Sequence, residues 1–190
     1  MTKEHSNTCY IFDFDDTLIK STASCYLVKK LKDKQTQSFR VSHDELDTLV
    51  LNKGDVLNFS EFRCPVILSE AKIIDKNFNI FKALHESGAL CYIITARDKP
   101  KLIRNFLNDH NIKFELDRII CINERNFLKR KEAKKVTTEI SKLKAIALGN
   151  ILKEHDEITH VELYEDSSKN LIEMESEALK MNVSTRCHKV

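Results

Sequence analysis

The chain of 190 residues has no tryptophan, three glycines, two prolines and no Cys-x-x-Cys pair. Gly54, Gly88 and Gly149 stand too far apart to build a phosphate-cradling loop or a dinucleotide fingerprint. Kinases and NAD enzymes of those types are therefore disfavoured. The histidines show no zinc-ligand spacing. Of the six cysteines, Cys9, Cys91 and Cys121 fall inside apolar runs. That placement suits buried free thiols in a reducing compartment rather than disulfides or zinc. No apolar stretch approaches the roughly 20 residues needed to span a bilayer, and Met1 to Asn7 carries no secretory apolar core. Neither internal repeats nor low-complexity tracts are present, and a net charge of +2 favours no class of partner. The expectation is a cytoplasmic, monomeric protein of one ordinary domain, 1–190. Its hydrophobic share of 42% is enough for a substantial core.

What is there begins with Tyr10-Ile11-Phe12-Asp13-Phe14-Asp15-Asp16-Thr17-Leu18. A short apolar strand delivers Asp13 and Asp15 where it gives way to a loop. Holding two carboxylates together costs several kcal/mol unless a cation or a shared proton offsets the repulsion. The pair suits a nucleophilic aspartate followed by an acid/base aspartate, with a divalent metal between protein and substrate. The plainer alternative is a solvated acidic turn.

Other chemistry-bearing residues follow, most of them at strand ends. Ala89-Leu90-Cys91-Tyr92-Ile93-Ile94 is a near-continuous apolar run, as in a parallel strand covered on both faces, and it ends at Thr95-Ala96-Arg97. Ile140, Leu143, Ala147, Leu148, Ile151 and Leu152 recur at helical spacing, with Lys142 and Lys144 near the start. Val161-Glu162-Leu163-Tyr164 reads as a strand that ends at Glu165-Asp166. In open α/β sheets, ligands bind at the carboxyl ends of strands. Each residue also has a duller reading. Thr95 would serve as a turn cap, either lysine as a solvent-facing helix residue, and Glu165-Asp166 as an acidic cap for the next helix.

The remaining pattern alternates strands and helices and predicts a three-layer α/β sandwich with a mostly parallel central sheet. Asp75 is expected to cap a helix carrying Phe78, Phe81 and Leu84, which Gly88 ends. Pro100 opens another with Leu102, Ile103, Phe106 and Leu107 buried. Strands are expected at 9–14 and at Arg118 to Ile122, a helix near 168–180, and a last strand at Asn182-Val183. Between about 20 and 70 lies an insert. Thr22 to Val28 reads there as a ribbon strand, and Ser42-His43-Asp44-Glu45 as a capping box ahead of Leu46, Leu49 and Val50.

Aspartate pair, hydroxyl, lysine and second acidic pair occur in the order of the haloacid dehalogenase (HAD) superfamily, which the chain resembles from about Cys9 to Leu179. Asp13-Phe14-Asp15-Asp16-Thr17 resembles the first motif of that superfamily, Thr95 the second, Lys144 the third and Glu165-Asp166 the fourth. Asn58-Phe59-Ser60-Glu61-Phe62 and Ile93-Ile94-Thr95-Ala96-Arg97 look like small phage members and effectors that intracellular bacteria inject into host cells. Some of those effectors act on phosphotyrosine. Asn170 departs from the pattern, because many relatives carry another acid there.

The resemblance implies a HAD-like Rossmannoid fold and a phosphatase. Asp13 would attack phosphorus and Asp15 would move the proton. Thr95 would hold a phosphoryl oxygen, Lys144 would neutralise charge, and Arg97 would hold a neighbouring anionic group. Mg²⁺ would be held by Asp13, the Asp15 carbonyl and Asp166, with Glu165 as an outer helper. The insert is too short and broken for a full cap and reads as a flap with one short helix, which suits a phosphate carried on a protein, phosphotyrosine first. Delivery into a host cell follows from the same likeness. Two other readings stand beside this one. A nucleic-acid 3′-phosphatase is motivated by Arg125, Lys129, Arg130, Lys131, Lys134 and Lys135, but only Phe127 in that run could stack on a base. The other is an interaction module that kept the fold and lost turnover.

Overall fold

Apolar segments that alternate with amphipathic helices set up the architecture, seen here in a computed structural model that describes residues 7–30, 35–41, 45, 49–123 and 140–190. The chain divides into two compact units, one running through Lys20 and resuming at Lys72–Val190, the other formed by Ser21–Ala71.

The first unit carries β1 (Thr8–Phe12) and β2 (Ile19–Lys20). The second carries β3 (Cys25–Lys30), β4 (Thr36–Val41), β5 (Val56–Asn58) and helix α1 (Pro65–Ser69). The first then resumes with β6 (Lys72–Ile73), α2 (Asp75–Glu86), β7 (Leu90–Thr95), α3 (Pro100–Asp109) and β8 (Ile119–Cys121). It ends with α4 (Ile140–Glu154), β9 (His160–Glu165), α5 (Ser168–Lys180) and β10 (Ser184–Lys189).

Five strands form one parallel sheet in the order β10-β9-β1-β7-β8. Successive strand residues face opposite sides, so Ile11 and Phe12 serve different layers. On one side Cys9, Ile11, Ile94, Val161 and Leu163 pack with Leu143, Leu148 and Ile151 of α4 and with Leu171 and Met174 of α5. On the other, Phe12 meets Phe81 of α2 edge-on at 5.3 Å, and Phe14 meets Phe106 of α3 at 5.8 Å. Helices thus cover both faces, as the near-continuous apolar strands require. The chain leaves central β1 for β7 and β8 on one flank, then returns to β9 and β10 on the other. Strand order switches at the carboxyl end of β1, the usual place for a ligand crevice.

In the second unit β3 lies between β4 and β5, all antiparallel. Glu61 accepts from the Ser24 amide at 2.8 Å and from the Tyr26 hydroxyl at 2.8 Å, tying the start of that sheet to the turn before α1.

Several boundaries differ from the sequence reading. Asp75 begins α2 without capping it, since Ile74 holds the cap position and makes no side-chain cap bond. Gly88 does end that helix, at φ +81°, a conformation that costs glycine little. Asn182 takes φ 60° and is a turn residue, so the last strand begins at Ser184. The ribbon strand starts at Cys25 and not at Thr22, and β8 is shorter than expected because Leu116–Arg118 form a 3₁₀ turn. The capping box lies outside the described residues except for Glu45, as do Leu46 and the basic run of 124–136. Among the described residues no helix is long and apolar enough to cross a membrane.

None of the six cysteines is joined in a disulfide, and Cys9, Cys25, Cys91 and Cys121 are buried. Burial pushes the Cys91 thiol up to about 12 and raises that of Cys9 as well. Thiol titration of the folded protein near pH 8 should therefore label exposed Cys187 and half-buried Cys64 first. Cys9, Cys91 and Cys121 should react only after denaturation. Prompt labelling of all six would mean that the sheet is not closed by its helices.

Candidate functional site

β1 ends at Phe12, and the next residue continues alongside β9, with the Asp13 amide donating to the Tyr164 carbonyl at 2.9 Å. Phe12 is level with Tyr164 in the register, which places Asp13 beside Glu165. Between these carboxylates lies the ammonium of Lys144, 2.8 Å from Asp13 Oδ1 and 2.6 Å from Glu165 Oε2. Lys144 is 2% exposed and Glu165 1%. Of the two candidate lysines, Lys144 is therefore the one that α4 turns inward, while Lys142 is half-buried.

The direction of α4 follows from its two ends. Near its start Lys144 meets Asp13 beyond the end of β1, whereas His155, just past its last turn, reaches the Tyr92 hydroxyl of β7 at 2.9 Å. The helix runs against the strands, and its first turn lies at their carboxyl ends.

Glu165 is held on both oxygens. Lys144 binds Oε2, while Oε1 accepts from the Ser167 amide at 3.2 Å and the Asn170 side chain at 3.0 Å. Asn170 is thus a clamp on the neighbouring acid. Sequence reasoning saw only a departure from a pattern; the signal was its place one turn into α5, near the Glu165-Asp166 loop. Ser167 and not the acidic pair caps that helix, accepting from the Asn170 amide at 3.5 Å.

Asp13 is held differently. Among the described residues its side-chain ion pair runs through Oδ1. Burial pushes its carboxyl well above the usual carboxylate range, and the Glu165 charge adds to that against the pull of Lys144. Burial acts on Glu165 too, but Lys144 and Asn170 outweigh it and hold Glu165 below its ordinary value. Burial pulls the Lys144 ammonium down, yet the charges and hydrogen bonds of Asp13 and Glu165 outweigh it and raise it above its ordinary value. One ammonium serves two carboxylates here, and a third lies nearby. Asp13, Glu165 and Asp166 each offer an oxygen within 4.8 Å of the others.

The loop after β1 is folded back by local bonds. The amides of Leu18 and Ile19 both donate to the Phe14 carbonyl, and the Asp16 amide donates to the Ile19 carbonyl at 2.7 Å. Asp16 takes φ 58°, which an aspartate tolerates better than most residues. Its carboxylate pairs with Lys20 at 2.6 Å, and that lysine also feels Asp166.

Asp15 faces Arg97. The guanidinium grips both carboxylate oxygens at 2.8 Å, rests 5.5 Å from the centre of the Phe14 ring, and is 3% exposed against 23% for Asp15. Such two-point pairing fixes orientation as well as charge. Thr95, the last residue of β7 and 1% exposed, accepts from the Arg97 amide at 3.3 Å. The structure therefore brings Asp13, Lys144, Glu165 and Asp166 into one cluster and links Asp15, Arg97 and Thr95 in a second. Asp15 lies near enough to Asp13 to act on its charge.

The donor set of the cluster is oxygen alone, with no histidine or cysteine among Asp13, Glu165 and Asp166. Hard cations of the Mg²⁺ or Ca²⁺ kind prefer such donors, whereas protein zinc sites usually include histidine nitrogen or cysteine sulfur. The residues present fit a hard divalent cation. No family model matches the chain, and neither a curated protein nor a solved structure matches it.

Removing one partner of a buried ion group leaves the others uncompensated, at a cost of about 3–5 kcal/mol. Lys144→Met should lower stability in urea at neutral pH by that amount. A loss under about 1 kcal/mol is the range of a solvent-exposed pair and would show that the ammonium is not enclosed between Asp13 and Glu165.

Proposed function

We infer that the chain is a Mg²⁺-dependent phosphomonoester hydrolase of the HAD type that works through an aspartyl-phosphate. The observation that carries this reading is the Lys144 ammonium bridging Asp13 and Glu165, with Asp166 beside them, at the strand-order switch of a parallel sheet. The order of motifs in the sequence supports the same reading.

In this mechanism an oxygen of Asp13 attacks phosphorus, and the bond to the leaving oxygen breaks as the new one forms. Oδ1 already accepts from Lys144 and keeps a second lone pair for the cation, so Oδ2 is the oxygen available for attack. Asp15 gives its proton to the leaving oxygen, then takes one from the water that cleaves the acyl phosphate. Both Asp15 oxygens accept from Arg97, so one of those contacts must open and the freed oxygen must take a proton from solvent before the transfer. Thr95 donates its hydroxyl to a phosphoryl oxygen, and Lys144 offsets the charge that gathers there. Asp13 and Asp166, with the Asp15 carbonyl, would hold the cation. Glu165, engaged on both oxygens, keeps Lys144 in place. When bound, the cation supplies charge neutralisation at the phosphoryl oxygens.

The substrate is a phosphoprotein, with phosphotyrosine preferred. Support comes from the likeness to injected effectors and from the modest second unit, whose described parts are a three-stranded sheet, a 3₁₀ turn and the five-residue α1. A small-metabolite enzyme of this kind would carry a fuller cap.

Hydrolysis of p-nitrophenyl phosphate should require Mg²⁺ and stop when it is chelated. Asp13→Asn should lower the rate by at least about 10³-fold, since it removes the attacking group. Equal rates for the wild-type and altered proteins would leave a non-catalytic binding module. Among natural ester types, phosphotyrosine peptides should give the highest kcat/KM, and sugar phosphates outrunning them would overturn the substrate assignment.

A further inference from the structure

α4 carries a second polar side chain into the region of Lys144, and the mechanism above gives it no task. Ser141 is 2% exposed, and among the described residues its hydroxyl has no hydrogen-bond partner. Orphaned buried hydroxyls are uncommon in native proteins and call for a cause. Buried Asn150 Nδ2 and Thr17 Oγ1 are also unpaired. Asn150 lies further along α4, towards the end that meets Tyr92, and Thr17 belongs to the loop after β1. Only Ser141 shares the helix face of the bridging lysine.

Residues three apart on a helix are neighbours, and helical side chains lean towards the amino-terminal turn. The Lys144 side chain therefore passes over the patch that Ser141 occupies. Because α4 runs against the strands, Ser141 stands about one turn further out, on the carboxyl-end side where a substrate would approach. An ammonium has three N–H donors. Two contact Asp13 Oδ1 and Glu165 Oε2, and among the described residues nothing takes the third. Two buried donors on adjacent turns of one helix thus lack the same thing, an acceptor.

A phosphate monoester dianion is rich in acceptor oxygens and has no donors. We propose that Ser141 is a substrate-binding residue whose hydroxyl, with Lys144, donates to a phosphoryl oxygen of the ester held at Asp13. The inference rests on the function proposed above and adds a phosphate contact outside the four motifs. A serine hydroxyl turns about one bond, so the contact needs no change in the path of α4.

The test uses the full chain with Mg²⁺ and inorganic phosphate, followed by calorimetry and thermal melting. Ser141→Ala should melt no lower than wild type without phosphate, because it removes an orphan and alanine favours a helix. Its affinity for phosphate should fall by about tenfold or more, the worth of a hydrogen bond to a charged group. KM for p-nitrophenyl phosphate should rise in step. Ser141→Cys keeps the size with a weaker donor and should show the same loss, which serves if the alanine variant folds poorly. Wild-type binding with unchanged affinity in both variants would overturn this inference and leave the phosphatase reading standing. A lower melting point with unchanged affinity would assign Ser141 to packing and overturn the inference in the same way. If wild type binds no phosphate in the presence of Mg²⁺, both the inference and the reading fall.

Discussion

A single buried ammonium, that of Lys144, makes the rest of this site possible. It touches Asp13 at the end of β1 and Glu165 at the end of β9, so it ties α4 to the two neighbouring strands where the order of the sheet switches. Removing ions from water costs several kcal/mol each even after relaxation, and apolar replacements of such groups are often no less stable. Stability alone is therefore a poor reason to keep this trio. The charge count argues likewise: with Asp166 nearby, three carboxylates face one ammonium, and burial, helped by the Glu165 charge, pushes the Asp13 carboxyl up despite that ammonium. An oxygen-rich pocket with excess negative charge is what a hard divalent cation offsets.

The two carboxylates that share Lys144 have different surroundings, and the difference suits them to different parts in the proposed reaction. Glu165 is saturated, with Lys144 on one oxygen and the Ser167 amide and Asn170 on the other. It is a fixed counter-charge. Asp13 keeps an oxygen outside that pairing, sits 7% exposed and feels the repulsion of its neighbours. A group that is anchored on one side and destabilised by its surroundings is suited to react. Asp15 stands in a third setting, held through both oxygens by a nearly buried arginine.

Much of this was legible in the sequence because the informative residues are buried. Apolar runs at Tyr10–Phe12 and Leu90–Ile94 mark strands covered on both faces, and their ends locate Asp13 and Thr95. Helical spacing from Ile140 to Leu152 placed Lys144 on a helix, with Leu143, Leu148 and Ile151 in the core. The parts that escaped have weak local signals. β10 reads Ser-Thr-Arg-Cys-His-Lys, a mostly exposed edge strand whose pairing with β9 comes from tertiary context. Thr36–Val41 is likewise exposed except for Val41. The clamp of Asn170 on Glu165, the grip of Arg97 on Asp15 and the burial of Ser141 depend on which side chains meet, which spacing along the chain does not encode.

Most of the unfavourable arrangements lie at the carboxyl ends of the strands, and that follows from how the fold divides its work. The layers of the sheet are filled by well-partnered apolar contacts such as Phe12 with Phe81 and with Tyr164, the latter stacked at 4.4 Å. That packing leaves the carboxyl ends of the strands free to hold arrangements that are unfavourable in themselves: clustered carboxylates, a left-handed Asp16 and a hydroxyl without an acceptor. A protein optimised only to fold would discharge each of these cheaply, through a Glu165→Gln, a glycine in the loop or an alanine in α4. Their gathering at the end of the sheet where parallel strands bind ligands suits the dianion and counter-cation of the proposed function. The rest of the sheet supplies the stability that lets the site keep them.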